Sequence, residues 1–194
     1  INVIEESPQT LFLMENEEPF LVIGRLNYYS AKETVWIKKI LQHHKFENEI
    51  FQSLKKYNKK GLKIGIAGEH LMPFYLRDIL TKAMPDVEFP IVTEILDDMR
   101  KIKSSKEIEL MEKAAEINDQ VLTELKKIIK VGMTEQQVVA HADFLGRQLG
   151  ADLGSATVVM SGKNTKFPAW RATDKKLEKG ELLMVDFNPT IGHY

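Results

Sequence analysis

The sequence predicts an α/β protein of two domains, and three observations carry that expectation. Short apolar runs alternate with helical patterns across the first hundred residues. From Ser104 onward, two amphipathic stretches each open on a capping signal. After Gly150 the pattern turns extended again and ends in an apolar run that carries one acid, Asp186.

The elements follow in order. Residues 10–14 and 20–23 are apolar and read as strands, and the polar turn Glu15-Asn16-Glu17-Glu18-Pro19 between them makes a hairpin. Phe46, Ile50, Phe51, Leu54 and Tyr57 recur at helical spacing, and Lys59-Lys60-Gly61 ends that helix. An extended pattern resumes at Leu62-Lys63-Ile64-Gly65-Ile66. A helix over 72–84 follows, then a short strand over 87–92.

The strongest local mark of a boundary is residues 99–105, where the basic Arg100-Lys101-Ile102-Lys103 meets the capping box Ser104-Ser105-Lys106-Glu107. A long helix is expected to start there, with Ile108, Met111, Ala115, Asn118, Leu122, Leu125 and Ile129 on its apolar face. Gly132 stops it, and Thr134-Glu135-Gln136-Gln137 is a second capping box that opens a helix to about Leu149. Residues 156–160 and 182–187 read as strands joined by a long polar connection over 162–180. The expected domains are therefore 1–100 and 101–194.

Composition narrows the function. The 194 residues are 43% hydrophobic, enough for one generous core or two small ones. Lysine and arginine number 27 against 28 acids, so no general basic field exists to hold nucleic acid. The chain contains no cysteine, which removes disulfides, thiolate metal sites and cysteine nucleophiles together, so that any metal must take oxygen or histidine ligands. No apolar run reaches the roughly 20 residues that span a bilayer. The opening at Ile1 has neither basic flank nor apolar signal core, and the expectation is a cytoplasmic protein with a trimmed start.

Asp186 is the acid most able to carry chemistry. It ends the run Glu181-Leu182-Leu183-Met184-Val185, where burying a carboxylate would be costly without a cation or dense hydrogen bonding. A hard divalent ion is one answer; capping of the turn at Asn188-Pro189 is the other, and on this segment alone both stay open. Among the histidines, His193 stands nearest to Asp186 and is a candidate for lining a site, against an ordinary strand position. Adjacent His43 and His44 point to opposite faces of an extended segment and cannot easily share an ion. His70 reads as a turn residue and His141 as a solvent-facing helix residue. Trp170-Arg171 is a candidate specificity surface, the indole packing on a ring or aliphatic chain and the guanidinium pairing with a carboxylate, against ordinary structural packing of such a pair in a loop. Residues 61–68 lack the ordered glycine turn of a phosphate loop.

Four pieces stand in a telling order: Lys103-Ser104-Ser105-Lys106-Glu107-Ile108-Glu109-Leu110, then Gly132-Met133-Thr134-Glu135, then Thr173-Asp174-Lys175-Lys176-Leu177-Glu178-Lys179-Gly180-Glu181, then Val185-Asp186-Phe187. Together they resemble the creatinase, aminopeptidase P and prolidase family. The resemblance implies a creatinase-like α/β domain at residues 1–100 and, at 101–194, the start of a "pita-bread" α+β catalytic domain. It implies that Asp186 is the first ligand of a site for two divalent ions, manganese, cobalt or zinc. A second aspartate, a histidine and two glutamates would follow beyond Tyr194, so this chain by itself is expected to be inactive. Further implications are an Xaa-Pro peptide or related amide as substrate and a homodimer as the assembly. Hydrolytic relatives carry a histidine after the proline where this chain has Ala169 in Phe167-Pro168-Ala169-Trp170-Arg171. That departure keeps two other readings in view: a silent member acting as a binding module, and a non-peptidase such as a creatinase-like amidinohydrolase or a lyase.

Overall fold

The computed structural model describes residues 9–43, 52–154, 156–167 and 171–194. The chain divides into two compact units, Ile1–Arg100 and Lys101–Tyr194.

In the first unit, β1 (Thr10–Phe12), β2 (Phe20–Gly24) and β3 (Lys39–His43) form a sheet with β2 in the centre. The hairpin expected at its start is present. Thr10 lies opposite Val22 and Phe12 opposite Phe20, whose rings stack at 4.6 Å. β3 runs parallel to β2, which requires a crossover, and α1 (Arg25–Thr34) supplies it. The unbroken apolar run Phe20-Leu21-Val22-Ile23 follows from burial on both faces. Phe20 and Val22 join Leu54, Tyr57, Leu76 and Met84 on one side, while Leu21 and Ile23 join Ala31 and Ile37 on the other. Periodicity does not announce α1 because its buried residues are Asn27 and Ala31, with no large apolar stripe.

Of the helix expected around Phe46, residues 44–51 lie outside the described residues. Residues 52–54 are helical, and the 3-10 turn Lys55–Tyr57 follows. The extended segments near 62–66 and 88–92 meet only through isolated parallel bridges, Lys63 with Glu88 and Ile66 with Ile91. Pro90 has no N–H to give, which interrupts the ladder, although its carbonyl accepts from Ile66 N at 2.8 Å. α2 (Phe74–Ala83) starts directly after Pro73. The stretch before Ser104 differs from expectation: α3 (Thr93–Lys101) is helical and buries no side chain.

In the second unit, α4 (Ser105–Ile128) and α5 (Glu135–Gln148) both begin at their expected capping boxes. Ser104 Oγ accepts from Glu107 N at 3.3 Å while Glu107 Oε2 accepts from Ser104 N at 2.6 Å. Thr134 and Gln137 repeat the exchange at 3.1 and 2.9 Å. The buried face of α4 is a correction. Ala114, Ile117, Val121 and Leu125 face the core, whereas Ile108 and Met111 are 46% and 45% exposed. Two apolar stripes overlap on this helix and share Leu125. The one that packs includes small Ala114.

Short strands complete the unit: β4 (Asp152–Leu153), β5 (Val158–Ser161), β6 (Leu183–Asp186) and β7 (Pro189–Thr190). β5 and β6 are antiparallel with Val158 opposite Asp186 and Ser161 opposite Leu183; β4 pairs with β7. Val159, Leu177 and Phe187 close the core over Val121, Leu125, Val138 and Ala142. Among the described residues, no helix is long and apolar enough to cross a membrane.

Candidate functional site

Alternation along β6 and the residues after it decides which side chains face outward. Phe187 turns inward and is buried; Asp186 before it is exposed and Asn188 after it is partly exposed. The burial penalty expected for Asp186 is therefore not incurred among the described residues. Asn188 Nδ2 donates to Asp186 Oδ1 at 2.9 Å, which holds one carboxylate oxygen. The inward anchor is tightly fitted. A Cβ on Gly146 of α5 would lie 2.5 Å from Phe187 Cζ, so the bare glycine is what lets the ring pass. Gly154 has the same role one strand away: its N–H reaches Asn188 O at 2.9 Å, and a Cβ there would sit 2.6 Å from Thr190 Cγ2.

His193 does not lie in a strand. It is exposed at φ 72° beside Gly192 at φ 57°, in a tight turn where Ile191 and Tyr194 exchange N–H···O bonds of 2.7 and 3.1 Å. Two successive positive φ values define a hairpin-type turn, which favours glycine at one of the two positions. Tyr194 Oη donates to Glu107 Oε1 at 2.5 Å, tying the turn to the start of α4. Hydrogen bonds from Tyr194 and from Ser104 lower the pKa of Glu107 to about 2.

Arg171 is exposed on the connection between β5 and β6; Pro168, Ala169 and Trp170 lie outside the described residues. His70 sits exposed in the 3-10 turn Glu69–Leu71, and His141 is exposed on α5. Among the described residues, no group of three His, Cys, Asp or Glu side chains could hold a metal ion. Asp186 suits a single ligand position, an outward carboxylate on a paired strand. The other described residues do not complete a site around it.

The sequence reading of Glu135 as one member of a capping box missed its burial and its partners. Glu135 is 0% exposed at the first position of α5, and both oxygens are fully engaged. Oε1 accepts from Ser161 N and Oγ at 2.7 and 2.8 Å, and Oε2 from Thr173 N and Oγ1 at 2.9 and 2.7 Å. Asn164 Nδ2 lies between them at 3.1 and 3.2 Å. Burial alone pushes this carboxyl upward, but the hydrogen bonds from Thr173, Ser161 and Asn164 outweigh it and bring the pKa down to about 2. Beside it Lys175 Nζ contacts Glu181 Oε2 at 2.5 Å and keeps that carboxyl below its ordinary range. In the sequence Glu135 is one residue of a capping box, and its three partners are ordinary polar residues 26 to 38 positions away. Nothing local links them.

With this geometry in place, comparison with known proteins defines the class. The chain belongs to the creatinase/prolidase family: residues 3–102 match the Creatinase/Prolidase N-terminal domain and residues 109–194 match Metallopeptidase family M24. The second unit is accordingly the start of the pita-bread fold. Among similar proteins, the Xaa-Pro dipeptidase of Pyrococcus horikoshii is 31% identical over 183 residues, 94% of this chain and 50% of that protein. The crystal structure of an X-Pro aminopeptidase from Thermotoga maritima superposes with a TM-score of 0.82 at 25% identity, covering 93% of this chain and 49% of that one. Prolidase from Pyrococcus furiosus does so at 0.75 and 29% identity, over 93% of this chain and 51% of the other. The chain thus spans about half the length of the relatives it matches.

Proposed function

We propose that the protein is a metal-dependent Xaa-Pro peptidase of the aminopeptidase P or prolidase type, to which this chain contributes the N-terminal unit and the opening of the catalytic unit. The observation that carries the reading is Asp186. An outward carboxylate ends a paired strand in the unit that matches the metallopeptidase family, and its inward neighbour Phe187 is locked against Gly146. Asp186 would serve as one ligand, with manganese, cobalt or zinc as the candidate ions. Divalent ions would supply polarisation of the scissile carbonyl and charge stabilisation in the transition state. The chain's own contributions are to fix Asp186 through Asn188 and to present Arg171, beside Trp170 in sequence, for pairing with a substrate carboxylate. His193 is proposed to line the same site, and a homodimer and a cytoplasmic setting belong to the same proposal. Hydrolysis of Xaa-Pro dipeptides and of longer Xaa-Pro peptides, measured with and without added manganese or cobalt, tests it. Cleavage that follows the metal supports the assignment, and none with any Xaa-Pro substrate contradicts it.

Ala169 favours a second reading. Its position follows Pro168, where hydrolytic relatives are expected to place a histidine, and alanine cannot move a proton. A non-peptidase reaction, or a silent member that binds a partner, would fit that loss. Ala169→His is expected to raise Xaa-Pro cleavage by about 10²-fold or more if the reaction is peptidase chemistry. No gain in a folded, metal-binding variant favours the second reading.

A further inference from the structure

We propose that Glu135 is a positioning residue that holds Ser161 and Thr173 together and so fixes where Arg171, two residues before Thr173, stands; the functional meaning rests on reading Arg171 as substrate-facing. The connection leaves β5 at Ser161 and returns to the α5 end at Thr173. Both points are hydrogen-bonded to this one carboxylate, Ser161 to Oε1 and Thr173 to Oε2. Asn164, one turn into the connection, bridges the two oxygens and also reaches Thr173 Oγ1 at 3.3 Å. All five donor groups therefore come from the ends of the connection. A carboxylate that merely stabilised the core would be expected to draw donors from the helices around it.

The backbone reinforces the arrangement. Glu135 N donates to Lys175 O at 3.1 Å and Gln136 N to Thr173 O at 3.3 Å, so the first turn of α5 grips the returning strand with its free N–H groups. Gly132 N to Leu177 O and Leu177 N to Met133 O, at 2.9 and 2.8 Å, extend the same seam. The side chain of Glu135, with the 3.3 Å bond from Asn164 to Thr173 Oγ1 beside it, joins this seam to Ser161 on the far side of the connection. Without it, Thr173 stays with α5 and Ser161 stays with β5. The tie between the ends of the connection is then weakened, with the Asn164–Thr173 bond left in place.

Trp170 lies next to Arg171, and the chain has only one other tryptophan, Trp36, which is 77% exposed. In a Trp36→Phe background, acrylamide quenching of fluorescence therefore reports on this connection alone. Glu135→Gln is expected to change the quenching constant by about two-fold at temperatures where the far-ultraviolet circular dichroism remains that of the folded chain, with Thr173→Val giving a smaller change in the same direction. Val121→Ala, which weakens the same core without removing a hydrogen-bond partner of Glu135, should lower the melting temperature and leave quenching unchanged. If Glu135→Gln does not fold, Thr173→Val decides. Unchanged quenching in the folded variants overturns the proposal, as does an equal change in Val121→Ala. The measurement uses neither metal nor substrate, so it stands or falls separately from the peptidase reading. Where peptidase activity is present, Thr173→Val is expected to raise KM several-fold with little change in kcat.

Discussion

Gly146 and Phe187 set the direction of Asp186 by steric contact. Because a Cβ at position 146 would come within 2.5 Å of the ring, Gly146→Ala should force Phe187 outward and destabilise the second unit by about 1–3 kcal/mol. Thermal melting of the variant checks this, and a melting temperature within a degree of the parent would contradict it. Glu135 makes the second prediction at this scale. Its folded pKa of about 2 lies below the ordinary 4.5, so its stabilisation is full above about pH 4.5 and is lost as pH falls toward 2. At about 1.4 kcal/mol per pH unit that amounts to on the order of 3 kcal/mol. Glu107 and Glu109 are also lowered to about 2 and add to the acid loss, so the test is a difference. Urea midpoints between pH 5 and 2.5 should fall less steeply in Glu135→Gln than in the parent; equal slopes would contradict the assignment. Asp186 was legible as a candidate because an acid in an apolar strand stands out in one dimension. Its exposure was not legible, because that depends on Phe187 finding its gap at Gly146, 41 positions earlier in the chain. Trp170 and Arg171 were legible only as a pair in a polar connection, and His193 only by its nearness to Asp186.

Both capping boxes were readable because their partners are three residues apart, and so were the β1–β2 hairpin and the apolar strands β5 and β6. Without a large apolar stripe, α1 was not readable, since it buries Asn27 and Ala31; α3 carries apolar Ile95, Leu96 and Met99 but buries none of them. On α4 the sequence offered two overlapping stripes, and which one packs is decided by α5 and β7 rather than by the helix itself. The caps give a test at this level. Ser104→Ala and Thr134→Ala each remove a side-chain acceptor and should cost about 1 kcal/mol apiece. Thr134→Ala also perturbs the turn that carries Glu135, so its effect should not add simply to that of Glu135→Gln. A double-mutant cycle in chemical denaturation measures the coupling, and strict additivity would show that cap and clamp act independently.

For the whole molecule, the two units suggest separable folding. Residues 1–100, expressed alone, are predicted to give a cooperative unfolding transition, and limited proteolysis of the full chain is predicted to cut first between Met99 and Ser105. Protection of that segment together with a non-cooperative fragment would contradict the division. A role for Asp186 as a metal ligand of an Xaa-Pro peptidase is best checked by titrating manganese or cobalt calorimetrically into three samples. These are the 194-residue chain, the protein as its source produces it, and the Asp186→Ala variant of that protein. Expected are no tight pair of ions on the 194-residue chain, binding by the source protein, and a loss of about 100-fold or more in affinity on Asp186→Ala. Unchanged affinity in Asp186→Ala, or two tightly held equivalents on the 194-residue chain, would contradict it.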